Sequence, residues 1–238
     1  MKINDLGFLL GSRDHLENMK ILTVFSLSYG VINGVFRQRK NNNFVIILDK
    51  IRFEWSSRNK DNLGYLKFEA IESSYRLTES LLVSLIKGSV SEICYRFLPS
   101  WEKNYDIFNN INHLTGIFQS NEKKLIKEYI FWEYNFLKNM GYELDFRICS
   151  VTGNKENVDF ISPKTGNAVC YEVGKKYERK LFKIPKFLQN PNMNISKKEC
   201  LNALNITGFF IEKFLEQNLK KLVYRKQLLI KIRNLEFF

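Results

Sequence analysis

Arg37, Arg39 and Lys40 place three cations within four consecutive positions. They leave what reads as a β-strand, so their charges stay close together in space. Such a cluster suits the neutralisation of phosphates, because a flexible polyanion is held by cations along a groove and by flat side chains on which bases stack. Arg13, Lys20, Arg52 and Arg58 add cations to the same N-terminal stretch. An isolated surface lysine is ordinarily just solvated charge, whereas a cluster at the edge of a small barrel is read as a binding element. Phe44, Phe53 and Trp55 are assigned to the barrel core rather than to stacking on bases.

Other residues invite a different chemistry. Asp14, His15 and Glu17 could serve as a general base, but no Ser or Cys nucleophile motif accompanies them, and a charged turn accounts for them. Glu156, Asp159 and Glu172, followed by Lys175, suggest the alternative of a metal-dependent nuclease with an OB-type substrate-binding barrel. The spacing is wrong, because two residues rather than one separate Glu172 from Lys175. No glycine-rich phosphate loop is present, so ATP use is not expected. The chain reads as a binding protein, not an enzyme, with no cofactor.

The net charge is +12, and residues 161–238 hold 16 basic and 6 acidic side chains, with no Asp. That balance suits a polyanion or an acidic protein tail. Composition offers a second source for it. The chain is rich in Lys, Asn, Ile and Phe, as A+T-rich coding DNA would impose, and 26 of its 37 basic residues are Lys. Charge alone therefore leaves nucleic-acid binding open. No run approaches the roughly 18 to 20 apolar residues of a membrane span, and Leu6, Phe8, Leu9 and Leu10 make too short a stretch for a signal-peptide core. A cytoplasmic protein without membrane contact is expected, with Cys94, Cys149, Cys170 and Cys200 as free thiols.

The elements that must position these residues change character near residue 72. Before it, Leu6–Ser12, Met19–Leu27, Gly30–Phe36, Phe44–Trp55 and Leu63–Ala70 read as strands. Gly30 and Gly34 mark a bulge or barrel corner, and Ile51, Phe53 and Trp55 alternate with Arg52 and Glu54. Five strands joined by short turns make a small barrel such as the OB-fold, and an SH3-like barrel fits the same count. Beyond residue 72 the period becomes helical. Ser74–Ile86 sets Leu77, Leu81, Leu82 and Leu85 on one side, and Ser89-Val90-Ser91-Glu92 has the capping-box spacing that would start a further helix. Asp106–Phe118 and Glu122–Met140 follow, the second with Leu125, Tyr129, Trp132 and Phe136 on one stripe and Gly141 as its stop. Ser196-Lys197-Lys198-Glu199 is a second capping box, opening a helical stretch toward Leu235 with a break at Thr207-Gly208. Between these parts, Phe146–Lys183 reads as a hairpin-like insert, with strands around Asp159–Ile161 and Ala168–Tyr171. The expected class is α+β and multidomain: a five-stranded barrel of the OB-fold kind over 1–72, a helical bundle over 73–145 and 185–238, and the insert over 146–184.

Local motifs in this order resemble the RecO family of recombination mediators. Gly7-Phe8-Leu9-Leu10-Gly11-Ser12, then Ile21-Leu22-Thr23-Val24-Phe25-Ser26 and Tyr29-Gly30, are similar to the family's first two strands, and Gly34-Val35-Phe36-Arg37 with Arg39-Lys40 to its basic exit from the third. Cys149-Ser150-Val151-Thr152-Gly153 and Phe160-Ile161-Ser162-Pro163-Lys164-Thr165-Gly166-Asn167 resemble the alphaproteobacterial branch. Ile184-Pro185-Lys186-Phe187-Leu188 and Leu204-Asn205-Ile206-Thr207-Gly208-Phe209 continue the match, which covers nearly the whole chain and is weakest over 87–120.

The resemblance implies binding of single- and double-stranded DNA through the barrel cations, with Arg37, Arg39 and Lys40 at its centre, and annealing of complementary strands. It implies RecR as a partner in helping the recombinase replace single-strand-binding protein. It also implies that the helical part receives the acidic, apolar C-terminal tail of that protein, for which Lys175, Lys176, Arg179, Lys180, Lys183 and Lys186, then Lys220, Lys221, Arg225, Lys226, Lys231 and Arg233, offer a basic surface. Arg37→Glu with Arg39→Glu should weaken DNA binding broadly. A third reading, a translation-associated RNA-binding OB protein, would prefer structured RNA. One departure concerns metal: many relatives hold zinc with two Cys-x-x-Cys pairs, whereas here Thr152 follows Cys149 where the second sulfur would stand, and Cys170 is alone. Two sulfurs without a nearby His cannot complete a tetrahedral site, so a metal-free, zinc-knuckle-like insert is expected.

Overall fold

A computed structural model describes residues 1–37, 46–72, 80–142, 144–215 and 222–236. In chain order the elements are β1 (Lys2–Leu16), β2 (Met19–Ser26), β3 (Gly30–Arg37), β4 (Lys50–Ser56), β5 (Gly64–Glu72), α1 (Leu81–Phe97), α2 (Tyr105–Gly116) and α3 (Glu122–Asn139). Then come β6 (Val158–Ile161), β7 (Ala168–Cys170), α4 (Tyr171–Gly174), a 3-10 segment (Lys175–Lys180), β8 (Phe182–Lys183), α5 (Lys186–Gln189), α6 (Lys197–Leu215) and α7 (Val223–Arg233). The chain divides into two compact units, Met1–Gly116 with Leu222–Leu228, and Ile117–Lys221 with Leu229–Phe238.

In the first unit, period-two apolar residues close five strands on themselves. The order is β1-β2-β3-β5-β4, closed by β4 on β1, with only the β3–β5 pair parallel. This is the connectivity of an OB-fold. Leu9, Leu22, Ile32, Ile51, Phe53, Trp55 and Leu66 fill the interior. Trp55 donates from Nε1 to the Asn33 carbonyl at 3.0 Å, which satisfies its one polar atom inside the core. β1 runs further at both ends than its apolar stretch foretold. Its first half pairs with β4 and its second with β2, and a register shift between Leu9 and Gly11 supplies the bend that serving two neighbours requires.

The fourth strand is shorter than expected. Leu48 has a φ of 61°, which no strand continues through, and residues 46–49 form a turn whose Leu48 amide donates to the Leu9 carbonyl at 2.7 Å. β4 therefore starts at Lys50; Phe44 and Val45 of the expected strand, with Arg39 and Lys40, lie outside the described residues.

The β2–β3 turn is tied down by Asp5, whose carboxylate accepts from the Ser26 hydroxyl and from the Ser28 amide at 2.8 Å. Gly30 follows with a φ of 73°, and a Cβ there would overlap the Glu102 backbone. The segment after α1 passes so close because Ser100 bridges Val31 and Trp101 packs edge-on against Trp55, with ring centroids 5.0 Å apart.

α1 begins at Leu81 behind an Ser80 cap, whose hydroxyl accepts from the Val83 amide at 3.3 Å. Ser74 and Leu77 lie outside the described residues. Of the expected stripe, Leu82 is buried whereas Leu81 is exposed. The second helix start expected at Ser89 is corrected: Ser89–Glu92 lies inside α1, which continues to Phe97. Ser89 and Ser91 are buried, and the Ser91 hydroxyl donates to the Leu10 carbonyl of β1. The two serines lie mid-helix on different faces, and Ser91 gives its hydroxyl proton to the barrel, so they cap nothing. α2 adds Ile107, Ile111 and Leu114 to this unit as the periodicity predicts.

In the second unit α3 packs on α6. Leu125, Tyr129, Trp132 and Phe136 are all buried, and Gly141 ends the run with a φ of 88°. Ser196 and Glu199 form the predicted capping box, the Ser196 hydroxyl donating to Glu199 at 2.7 Å. The expected break at Thr207-Gly208 is absent, and α6 runs through it. Thr207 donates its hydroxyl to the buried Glu133 of α3, and Tyr129 donates to the same carboxylate at 2.5 Å. The Thr207 oxygen also stands 3.3 Å from the Ala203 and Leu204 carbonyls of its own helix, the back-bonding that a threonine makes without ending a helix. The insert is a three-stranded sheet, β7-β6-β8, rather than a hairpin, because β8 adds two residues, Phe182 and Lys183, along β6.

Candidate nucleic-acid interface

The strand register decides which barrel cations share a surface. Arg13 pairs with Ile21, Ile21 with Val35, and Val35 with Tyr65, so these four residues form one row across β1, β2, β3 and β5. Leu22, Ile32 and Leu66 on the alternate positions point into the core, so the row faces outward. Arg37, paired with Met19, lies on the same outer wall two positions along β3 from Val35. Both arginines are exposed. Lys20 sits at the rim, where its Nζ pairs with Asp14 at 3.0 Å, and the Asp14 side chain is 90% exposed. An ion pair this open is worth about 1 kcal/mol at most and yields readily to a competing phosphate.

Arg52 is exposed on β4, between Leu6 and Glu69, with Glu54 two residues further along the same face. Arg58 is exposed in the β4–β5 loop, where Asn59 Oδ1 accepts from the Asp61 and Asn62 amides. The register thus puts Arg13 and Arg37 on the outer β1–β2–β3 wall, sets Lys20 on the alternate row with Asp14 and Phe36 at the rim, and leaves Arg52 and Arg58 apart. It also presents Tyr65, 69% exposed, as a flat ring in the Arg13 row. Sequence reasoning missed Tyr65, although the alternation of Tyr65 and Lys67 with the inward-facing Leu66 and Phe68 carried the signal. Phe53 and Trp55, both about 1% exposed, belong to the core.

Beside this wall α1 leaves a cleft of about 240 Å³, lined among others by Arg13, Thr23, Glu92, Tyr95 and Tyr224. Glu92 accepts from the Val223 and Arg225 amides at 2.9 and 2.8 Å and so caps the start of α7. Burial raises its carboxyl above the ordinary range against the pull of those donors.

The second unit has a groove of about 1190 Å³, with Phe131, Tyr134, Phe146 and Leu188 among its apolar lining. Lys138, Arg147, Lys155, Lys183 and Lys186 line it against Asp145 and Asp159. Arg147 is turned on Asp145 at 2.9 Å, and its hydrogen bond holds that carboxyl below the usual range. The Tyr134 hydroxyl is buried with no hydrogen-bond partner among the described residues.

The insert brings Cys149 and Cys170 together. The Cys170 amide donates to Cys149 Sγ at 3.2 Å, and the Thr152 hydroxyl lies 3.7 Å from Cys170 Sγ. With a hydroxyl where a third thiolate would be needed, these residues do not fit a tetrahedral zinc site. Desolvation pushes the Cys149 thiol up, but hydrogen bonds from the Thr152 side chain and from the Cys170, Thr152 and Val151 amides together bring it down to about 6. A thiol this acidic in the folded chain, against about 8.5 when unfolded, adds stability that is full above the unfolded value and lost as pH falls through 6. The stability difference between wild type and Cys149→Ala is therefore expected to widen between about pH 6 and pH 9. Urea melts across that range check it, and a constant difference would refute it.

Glu156, Asp159 and Glu172 are not gathered. Among the described residues no group of three or more His, Cys, Asp or Glu could hold a metal ion, which removes the support for the nuclease reading. Among the same residues no helix is long and apolar enough to cross a membrane.

The family profile "Recombination protein O N terminal" matches residues 1–74, and "Recombination protein O C terminal" matches residues 81–222. A DNA repair protein RecO of Wolbachia pipientis subsp. Culex pipiens is 34% identical over 222 residues, covering 90% of this chain and 92% of that protein. One of Rickettsia bellii is 31% identical over 224 residues, covering 92% and 91%. One of Ehrlichia chaffeensis is 30% identical over 237 residues, covering 96% and 97%. Barrel, helical body and insert occur in the order that the motifs implied, and both profiles fall on them. The chain belongs to the RecO family of DNA repair proteins.

Proposed function

We propose that this chain is a cytoplasmic recombination mediator that works without a catalytic step. It binds single- and double-stranded DNA regardless of sequence, anneals complementary strands and, with RecR, helps load the recombinase on DNA coated by single-strand-binding protein. The observation that carries this reading is the outer barrel wall, where Arg13 and Arg37 stand exposed around Tyr65 on strands in fixed register. Cations on rigid strands meet phosphates, and an exposed ring takes an unstacked base whatever its identity. Lys20 joins them once a phosphate displaces Asp14. Arg39 and Lys40 follow Arg37 in the chain, and Arg52 and Arg58 serve DNA that wraps further round the barrel.

The groove of the second unit is the receptor we assign to the acidic tail of single-strand-binding protein. Five cations line it against two carboxylates, beside aromatic side chains that an apolar residue can pack on. The test of the whole reading is strand annealing with and without single-strand-binding protein, with magnesium present. The chain should speed annealing on both templates and leave labelled strands uncut. Cleavage, or preference for structured RNA in competition, would defeat it.

A further inference from the structure

The 3-10 segment Lys175–Lys180 carries four cations, one carboxylate and one tyrosine in six residues, all of them exposed. With about three residues per turn, positions i and i+3 share an edge. Three edges result. Lys175 and Glu178 share the first, where they attract each other, and Lys175 Nζ also lies 5.2 Å from the centre of the Tyr171 ring. The Tyr171 side chain is the larger influence on Lys175, and the one carboxylate leaves the six residues with a net charge of +3. Lys176 and Arg179 share the second edge, about 6 Å apart along the axis. Tyr177, 53% exposed, shares the third with Lys180. Lys176, Arg179 and Lys180 have no carboxylate partner among the described residues.

The segment is also anchored. Tyr171 stacks on Phe160 at 6.3 Å, and Gly174 lies so close to the Phe160 ring that a Cβ there would overlap it. Phe160 itself is buried in β6. A solvated charge run needs no such seat, whereas a binding strip gains from one, because ordering cost is met before the ligand arrives.

We propose that this strip is a second phosphate-backbone site, which holds the complementary strand while the barrel holds the first. The inference rests on the mediator reading above and adds the place of the second strand. Nucleic acid fits the strip better than an acidic peptide does. Exposed rings stand beside its cations, and none of residues 171–180 lines the groove that offers apolar packing.

The test compares wild type with Lys176→Glu/Arg179→Glu/Lys180→Glu in three assays: titration of a fluorescent oligothymidylate, annealing of two labelled complementary oligonucleotides, and binding of polyglutamate. The variant should bind oligothymidylate within about threefold of wild type yet anneal about tenfold more slowly or worse. The glutamine version, K176Q/R179Q/K180Q, should be slowed less, and it keeps the test alive if charge reversal disturbs folding. Annealing at the wild-type rate overturns the proposal, as does an equal loss in both assays. Intact annealing with lost binding of polyglutamate overturns it in favour of a protein partner. A wild type that neither binds nor anneals overturns the mediator reading itself.

Discussion

Arg13→Glu combined with Arg37→Glu is expected to weaken binding of an oligothymidylate by about 10- to 100-fold near 50 mM salt. Two phosphate contacts disappear and two repulsive charges replace them, on a surface where the register leaves both side chains in water. Counterion release makes a second, independent signature. The slope of log affinity against log salt should shrink by about 0.7 for each contact removed from a single strand, so by about 1.4 for the pair. The loss should be similar for different sequences, since phosphates position DNA without reading it. Arg52→Glu should cost only a few-fold, because Glu69 across the ladder and Glu54 along the strand already offset its field. Binding that ignores both salt and the paired reversal would remove the barrel wall from the interface.

The second large effect concerns stability. Gly30→Ala is expected to destabilise the barrel by about 3 kcal/mol or more, lowering its melting temperature by roughly 6–12 °C. One part of the cost is the left-handed backbone, since φ is 73° there and an L-residue loses about 1–2 kcal/mol in that region. The other part is steric, because the new methyl would overlap the Glu102 backbone and push away the segment that carries Trp101. Tryptophan fluorescence reports this directly, as Trp101 packs edge-on against Trp55. Unchanged melting and emission would mean that the close approach of residue 102 contributes nothing.

The barrel was largely legible before any coordinates, and the reasons are local. Period two along Ile51, Phe53 and Trp55 names a buried face, and glycines at 30 and 34 mark where the chain turns or presses against a neighbour. What stayed hidden depends on partners distant in sequence. The start of β4 is set by Leu48, whose amide meets Leu9, and no propensity announces that turn. Ser89–Glu92 has the spacing of a cap, yet both serines are buried inside α1 and Ser91 donates to Leu10 of β1. Thr207 looks like a helix breaker until Glu133, 74 residues earlier, is known to accept its proton. β8 is two residues long, below any periodic signal. For the interface, the sequence offered the cations, but only strand register could separate Arg13 and Arg37 from Arg52. Arg39 and Lys40 lie outside the described residues and stay with the proposal.

The return of residues 222–228 to the barrel's unit has a consequence for synthesis. Leu222, Arg225 and Leu228 are buried there, and the carboxylate on α1 waits for the amides of Val223 and Arg225. On the ribosome, the roughly 110 residues between Gly116 and Leu228 take on the order of ten seconds to emerge. Throughout that interval the nascent barrel carries a helix face whose covering segment has not yet been made, and transiently exposed apolar surface of this kind is prone to aggregation.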